Sequence, residues 1–254
     1  MRTQRFILPF VLLSLIGAAC LIGSGAATGS TPASASAPVY KTPEEAITAY
    51  FDGLAQGDVA KITQACAINE MSEKFKLDLY IQRLGGAFVP PSALAPSDYP
   101  LYVEANKMQV KAEIFRQVKI FAYSLLGVEK MSESALVTKG MDSTRSAAFI
   151  KDVDPKRLSG LKLTEIGLAG KSVMSNSKYT DNVAKIAATY GADEETERLA
   201  LFSFEGSYYY TGFTLLRYGQ SWKISSQVSP LANTSALGAP QKTTVAEFEA
   251  IINK

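Results

Sequence analysis

The sequence predicts an α+β fold in which N-terminal helices pack on an antiparallel sheet. The first observation is the stretch TPEEAITAYFDGLAQGDVAKITQA at 42–65, which has the spacing and capping residues of two short helices. The second is the stretch 198–229, which is rich in aromatic and branched residues and is interrupted by glycines. Because helices come first and strands last, we expect one α+β domain spanning 41–254.

The first helix has clear start and stop signals. Thr42 is an N-cap, Pro43 suits the first helical position, and Glu45 completes a capping box. Gly57 is placed to end the helix, and Asp58 to cap the second. The buried stripe of the first helix has helical spacing and comprises Ile47, Tyr50, Phe51 and Leu54.

The rest of the helical part, which as a whole spans 42–126, is less regular. The segment 71–86 predicts a third helix, capped by Ser72 and closed by two glycines. The segment 87–105 contains four prolines and predicts a long loop or lid. From 106 onward we expect a helix that gives way to a strand near Gln117.

A β-rich part is predicted for 133–229. Its expected elements are strands at 133–140 and 158–170, a helix at 179–191, and strands broken at Gly206, Gly212 and Gly219. In the last strand Trp222, Ile224 and Val228 share one face. The other face should be in contact with water and carries Lys223, Ser225 and Gln227. A loop at 230–242 then leads to a C-terminal helix at 243–253.

The N-terminus predicts export. Arg2 and Arg5 precede an apolar run at 6–23, and small residues follow, so 1–27 is interpreted as a signal peptide. Cleavage near 25–27 competes with lipidation of Cys20, because IGAAC partly matches a lipobox. A retained membrane anchor is the third alternative. The segment 28–40 has the composition of a flexible spacer.

Charge and residue counts exclude several classes of function. The chain has 26 Lys and Arg, 24 Asp and Glu, and no His. Loss of Arg2 and Arg5 would leave a neutral chain, which argues against a nucleic-acid partner and leaves membrane contact to the signal or a lipid anchor. The absence of His rules out His-dependent triads and the usual zinc sites, so neither a metal nor a cofactor is predicted.

Two further features are interpreted as structural. Cys66 has no disulfide partner in a processed chain and lies on the inner face of the second predicted helix, so we expect a small buried apolar residue. The acidic run GADEETER at 191–198 is interpreted as a solvated connection before a strand.

Two motifs resemble the nuclear transport factor two-like superfamily in its bacterial secreted or lipoprotein branch. They are the helix pair at 42–66 and the strands at 198–228, which end in YGQSWKI. The resemblance implies a curved sheet that wraps the helices and leaves a cone-like cup, with large insertions between 68 and 195. It covers about a quarter of the chain, and neither motif carries catalytic residues.

An aromatic cluster near the C-terminus is the candidate ligand site. If the sheet is curved, its concave face would suit an apolar or amphipathic ligand. The alternative is that these residues are ordinary core and surface aromatics. The candidates are Tyr208, Tyr210, Phe213, Tyr218 and Trp222.

These observations predict an exported protein, secreted or held at the outer face of the cell membrane. Its function is predicted to be non-enzymatic binding of a small ligand or of an envelope protein. One alternative is a small lyase or isomerase that uses an Asp and a Tyr in a pocket. The other is a structural unit that forms a homodimer through an open, apolar sheet face.

Overall fold

The computed structural model describes residues 38–86, 88–127, 142–168, 170 and 172–253. The predicted signal peptide, Cys20, most of the spacer and the predicted strand at 133–140 lie outside these ranges. The helices are α1 Pro43–Gln56, α2 Val59–Ala65, α3 Ile68–Lys74, α4 Leu77–Arg83, α5 Pro100–Leu126, α6 Ser143–Asp152, α7 Ser177–Thr189 and α8 Val245–Ile252. The strands are β1 Lys162–Gly167, β2 Glu194–Phe204, β3 Ser207–Tyr218, β4 Ser221–Ser226 and β5 Gln241–Thr243.

The strands form one antiparallel sheet in the order β1-β2-β3-β4, with β5 paired to the start of β3. β2 and β3 are joined by the two-residue turn Glu205-Gly206, in which both residues have positive φ angles of 46° and 76°. Such turns match the twist of the flanking strands. β3 and β4 are joined by a second short turn at Gly219. Long β2 and β3 therefore provide the centre of the sheet.

The main core lies between the helices and one face of the sheet, here called the inner face, which carries Ala200, Phe202, Phe204, Phe213 and Leu215. The ring of Phe202 lies 5.2 Å from that of Phe51 on α1 and 5.3 Å from that of Phe121 on α5. The predicted fold class is confirmed, because N-terminal helices pack on an antiparallel sheet.

The opposite face, here called the outer face, carries Glu195, Glu197, Leu199 and Leu201 of β2. α8 covers the two leucines with Phe248 and Ile252. α8 also packs directly on β1, where a Cβ at Gly167 would lie 2.6 Å from Ile252 Cγ2. The homodimer hypothesis depended on an open sheet face, and these residues of the outer face are already covered within the chain.

The first two helices are confirmed with their caps. Thr42 Oγ1 accepts a hydrogen bond from Glu45 N at 3.2 Å, and Asp58 Oδ1 accepts one from Lys61 N at 3.0 Å. Gly57 ends α1 with a φ of 65°, which a residue with a Cβ would adopt only under strain. The capping box is displaced by one residue, because the Glu45 carboxylate accepts from Lys41 N and not from Thr42 N.

The single helix predicted for 71–86 is wrong. α3 ends at Lys74 and α4 begins at Leu77, because the extended residue Phe75 turns its ring into the core beside Tyr80 and Tyr190. Ser72 is not a cap. It is buried within α3 and donates its hydroxyl hydrogen to Ile68 O at 2.6 Å.

The strand predicted near Gln117 is also wrong, because α5 continues unbroken from Pro100 to Leu126. α5 begins at Pro100, because proline suits the first position of a helix. The predicted loop 87–105 therefore ends before Pro100. Gln117, Phe121 and Leu125 recur at every fourth position and are all buried. The helical spacing of the buried residues therefore decides the structure of this apolar run, although its residues also favour strands. None of the described helices meets the length and hydropathy needed to cross a bilayer.

The predicted β-rich part and the loop that follows it need four corrections. The strand predicted at 158–170 is a 3-10 turn, Pro155–Gly160, followed by the shorter β1. Gly212 does not break a strand, and it lies within β3 where a Cβ would come 2.4 Å from Ser229 N. α6 was not predicted, and β5 interrupts the loop expected at 230–242. The helix at 179–191 is confirmed as α7.

The β4 face predicted to contact water is wrong as well, because Lys223 and Gln227 are buried. Lys223 Nζ donates to Gln64 O at 2.5 Å, and burial lowers its pKa. Gln227 accepts a hydrogen bond from Tyr50 OH at 2.7 Å and donates to Gly238 O at 2.8 Å. Chain segments far away in sequence cover this face, so alternation within β4 did not predict it.

Candidate functional site

Two carboxylates lie side by side on the outer face of β2. Glu195 and Glu197 point to the same side because alternate residues of a strand share a face. Both are buried, with 8% and 3% of their surfaces exposed. The interpretation of 191–198 as a solvated connection is therefore wrong. Most of the run belongs to β2 and lies beneath α7, which contacts this strand.

Glu197 is satisfied by hydrogen bonds. Its Oε2 accepts from Ser229 Oγ at 2.6 Å and from Leu231 N at 3.0 Å, and its Oε1 accepts from Tyr179 OH at 3.5 Å. Burial and the neighbouring carboxylates raise the pKa of Tyr179, so its hydroxyl stays protonated. Glu197 therefore links the sheet to two other segments by hydrogen bonds: to the loop after β4 through Ser229 and Leu231, and to the start of α7 through Tyr179.

Glu195 is not satisfied. Its Oε2 is buried, and no donor in the described part of the chain lies within hydrogen-bond distance. Burial, with a further contribution from Glu197, raises the pKa of Glu195 to about 8, while the Arg83 guanidinium acts in the opposite direction. The nearby Arg83 Nε is also buried without a partner among these residues. An unpaired buried carboxylate costs folding free energy.

Glu195 lines a cavity of about 450 Å3 between α7 and β2. The apolar part of the wall comes mainly from α7 and includes Met174, Val183, Ala184 and Ala187. Tyr179, Asp193 and Glu194 add polar groups. A volume of this size, with an apolar wall and a few polar groups, is typical of small-molecule sites.

The other two acids of this cavity are already engaged. Asp193 Oδ2 accepts from Gly219 N at 2.7 Å, and Glu194 Oε2 lies 3.1 Å from Arg217 Nε in an ion pair. Among the acids that line the cavity, Glu195 therefore carries the buried oxygen that has no hydrogen-bond partner in the described part of the chain.

Two other cavities carry weaker indications. A groove of about 790 Å3 beside α4 is lined by a mixture of charged and apolar residues, and the charged ones include Glu73, Lys74 and Asp78. A cavity of about 380 Å3 lies beside Cys66 and Lys223. No buried polar side-chain atom lining either cavity lacks a partner among the described residues. Burial raises the pKa of the Cys66 thiol, so it is a poor nucleophile and fits the predicted structural role.

The predicted aromatic residues do not form one wall. Tyr208 and Tyr210 lie on the outer face, where Tyr210 donates a hydrogen bond to Gln241 and packs near Phe248. Phe213 points to the inner face and is fully buried against Tyr50 and Phe51. Strand alternation separates these side chains, since 208 and 213 differ in parity.

The remaining two aromatics lie at the far end of β3 and on β4. Tyr218 donates its hydroxyl hydrogen to Tyr190 O at 3.2 Å, and Trp222 lies under the Arg217 guanidinium at 5.9 Å. None of the five predicted aromatics lines the cavity beside Glu195. Ligand contact by any of them stays a prediction. In the described ranges, no cluster of three or more His, Cys, Asp or Glu could hold a metal ion.

One pattern in the sequence could have identified the two carboxylates. Leu199 and Leu201 occupy alternate positions of a strand, and the same alternation continued backward reaches Glu197 and then Glu195. If the strand that carries the two buried leucines begins as early as Glu195, then both glutamates lie on the same buried face of it. The charge of the two glutamates predicts exposure, whereas their alternation with the two leucines predicts burial.

Comparison with known proteins gives a structural likeness. No protein-family model matches the chain, and no curated protein matches it. The chain is similar to the crystal structure of a cystatin-like protein from Ruminococcus gnavus, with a TM-score of 0.54 and 19% identity. The match covers 80% of this chain and 44% of that protein, so the chain spans less than half of its length. At this identity the likeness shows the fold alone.

The resemblance to the nuclear transport factor two-like superfamily is therefore wrong. The matching structure is cystatin-like, a different fold, although both are cone-like α+β folds. The motifs at 42–66 and 198–228 specify helix caps and a tight hairpin. Such features depend on local interactions and recur in unrelated α+β folds.

Proposed function

We propose that the chain is an exported cell-envelope protein whose folded domain binds a small amphipathic ligand without transforming it. The observation that carries this proposal is the cavity between α7 and β2, which is lined by Glu195, a carboxylate whose enclosed Oε2 has no hydrogen-bond partner in the described part of the chain. A binding site that keeps one polar group free beside an apolar wall can fix a ligand's orientation.

The N-terminal sequence supports the envelope location. An apolar run after two arginines, followed by small uncharged residues, is typical of export, and the 28–40 spacer would separate the domain from a membrane. The ligand cavity would then face the outside of the cell. Binding of another cell-envelope protein, the second kind of partner expected from the sequence, stays a prediction.

Native mass spectrometry of the full chain purified from its own cells tests the binding function. We expect a bound small molecule that is lost in Ala184→Phe, because this exposed α7 residue lines the cavity and the larger ring would fill it. Asn182→Phe is the matched control, since Asn182 is exposed on the same helix and does not line the cavity. An unliganded wild-type chain, or equal loss in both variants, would contradict the proposal.

A second candidate function is acid–base catalysis, which the raised pKa of Glu195 favours. Glu195 and Tyr179, which line the same cavity, would take the place of the Asp and the Tyr of the predicted lyase or isomerase. Incubation of the co-purified ligand with excess protein distinguishes the two functions. Recovery of the ligand with its mass and chromatographic retention unchanged supports binding, and a wild-type-dependent change absent from Glu195→Gln supports catalysis.

A further inference from the structure

We propose that the ligand is a small amphipathic organic cation that bears a primary ammonium group, with the Glu195 carboxylate as its counter-ion. This inference rests on the proposed binding function and specifies the class of ligand. It follows from the charges that face the cavity, the oxygen left without a partner, and the shape of the apolar wall.

The charges at the cavity favour a cation. Asp193, Glu194 and Glu195 line it, and no Lys or Arg is found among its described lining residues. Asp193 accepts from the neutral Gly219 N–H, so its negative charge contributes to the potential at the rim, whereas Arg217 offsets the charge of Glu194. Such a low-dielectric, acid-lined cavity attracts cations and repels anions.

The Glu195 carboxylate can meet an ammonium group once its side chain turns toward the cavity, because Glu195 lines the cavity while its Oε2 is enclosed in this structure. Its Oε2 has no donor within hydrogen-bond distance among the described residues, and a primary ammonium carries three donors. Charge-assisted hydrogen bonds of this kind are stronger than neutral ones. A cation would therefore stabilise the ionised form of this buried carboxyl group, whose Oε2 the fold leaves without a hydrogen-bond partner among the described residues.

The apolar wall limits the rest of the ligand. Val183, Ala184 and Ala187 of α7 present short side chains, and Met174 adds a longer, flexible one. The volume of about 450 Å3 suits a ligand with one ring or a short aliphatic chain. The cationic head of such a ligand would bind Glu195, and its apolar body would pack against the apolar side chains of α7 and Met174.

Binding should release a proton. Glu195 is protonated in the empty protein at neutral pH, because its pKa is about 8. When the ammonium enters, the carboxyl O–H bond breaks, the proton passes to the solvent, and the carboxylate keeps the electron pair and the negative charge. The affinity should therefore rise with pH until Glu195 is fully ionised.

The groups around Glu195 do not cancel this dependence. Glu197 on β2 opposes ionisation of Glu195, and Arg83 on α4 favours it. Tyr179 of α7 and Tyr190 at its C-terminal end have raised pKa values and stay neutral across this range. Asp193 and Glu194 at the rim are held by Gly219 N and Arg217.

Isothermal titration calorimetry with phenethylamine and its neutral analogue phenethyl alcohol tests the inference on the full chain. We expect the amine to bind at least about tenfold more tightly, with net proton release read from buffers of different ionisation enthalpy. Glu195→Gln should lower the amine affinity about tenfold and leave the alcohol unchanged. Glu165→Gln is the matched control, because Glu165 is exposed on β1.

The possible results separate the two proposals. If neither probe binds the wild-type chain, the proposed binding function fails and the inference with it. If the alcohol or the anion phenylacetate binds as tightly as the amine, the binding function stands and the cation inference is overturned. The same holds if Glu195→Gln, shown to be folded by circular dichroism, binds the amine as the wild type does. If Ala184→Phe binds neither the amine nor the alcohol, binding takes place in this cavity. If Ala184→Phe binds both as the wild type does, the inference is contradicted.

Discussion

Glu195 and Glu197 lie on one face of β2, two residues apart, and only Glu197 has its carboxylate satisfied by hydrogen bonds. Ser229, Leu231 and Tyr179 all donate to Glu197, whereas the buried Oε2 of Glu195 has no partner among the described residues. The two glutamates therefore have different roles. One holds the structure together, and the other is the carboxylate that we propose binds the ligand, at a cost in stability.

The first prediction concerns the pH dependence of stability. The fold raises the pKa of Glu195 from its ordinary 4.5 to about 8. Between these values the folded protein keeps a proton that the unfolded chain has released, so raising the pH favours unfolding. This carboxyl should lower the free energy of unfolding across that range, by at most about 1.4 kcal/mol per pH unit, with no further change above it.

Urea denaturation of the wild type and Glu195→Gln at a series of pH values measures this effect. The stability of the variant relative to the wild type should increase as the pH rises from 4.5 to about 8. Glu165→Gln should show no such trend, because that carboxylate is exposed on β1. A constant difference between wild type and Glu195→Gln over this range would show that Glu195 titrates normally.

The second prediction concerns Glu197. In Glu197→Gln, the amide can accept at only one of its two positions, so Ser229 Oγ, Leu231 N or Tyr179 OH loses an acceptor. We expect a loss of about 2 kcal/mol or more in the free energy of unfolding, measured by urea denaturation. Glu194→Gln, which removes only an exposed ion pair with Arg217, should cost less than about 1 kcal/mol. Equal losses in the two variants would contradict the anchoring role.

The third prediction concerns Gly212. A Cβ at this position would lie 2.4 Å from Ser229 N and 2.6 Å from Thr234 Oγ1, so the loop after β4 would have to move away from β3. Gly212→Ala should therefore destabilise the protein by about 1–3 kcal/mol in thermal or urea denaturation. Gly160→Ala is the control, because its nearest atom, on Phe204, is 3.9 Å away. A wild-type midpoint for Gly212→Ala would contradict this packing.

The fourth prediction concerns processing of the N-terminus. We expect the mature protein to begin at Thr28, because the predicted signal peptide covers 1–27. Intact-mass measurement on protein from its own cells gives the answer directly. A chain that begins at Cys20 and carries a diacylglyceryl group would show lipidation of Cys20 instead of cleavage near 25–27. A chain that retains residues 1–27 would contradict signal-peptide cleavage.

Local features were predictable from the sequence. The caps of α1 and α2, the helix α7, the turns at Gly206 and Gly219 and the C-terminal helix all depend on interactions between residues a few positions apart. The order of helices before strands was enough to predict the α+β class. The same local features suggested the wrong superfamily, because caps and hairpins do not distinguish one α+β fold from another.

The tertiary structure alone decided what is buried. Phe75 splits a predicted helix because the core offers its ring a place beside Tyr80 and Tyr190. Lys223 and Gln227 are covered by groups from distant parts of the chain, such as Gln64 and Tyr50. Glu195 belongs to the same class, since α7 covers it. The sequence determined which segments form helices and strands through short-range contacts, but burial results from long-range packing, and burial makes Glu195 the candidate ligand-binding carboxylate.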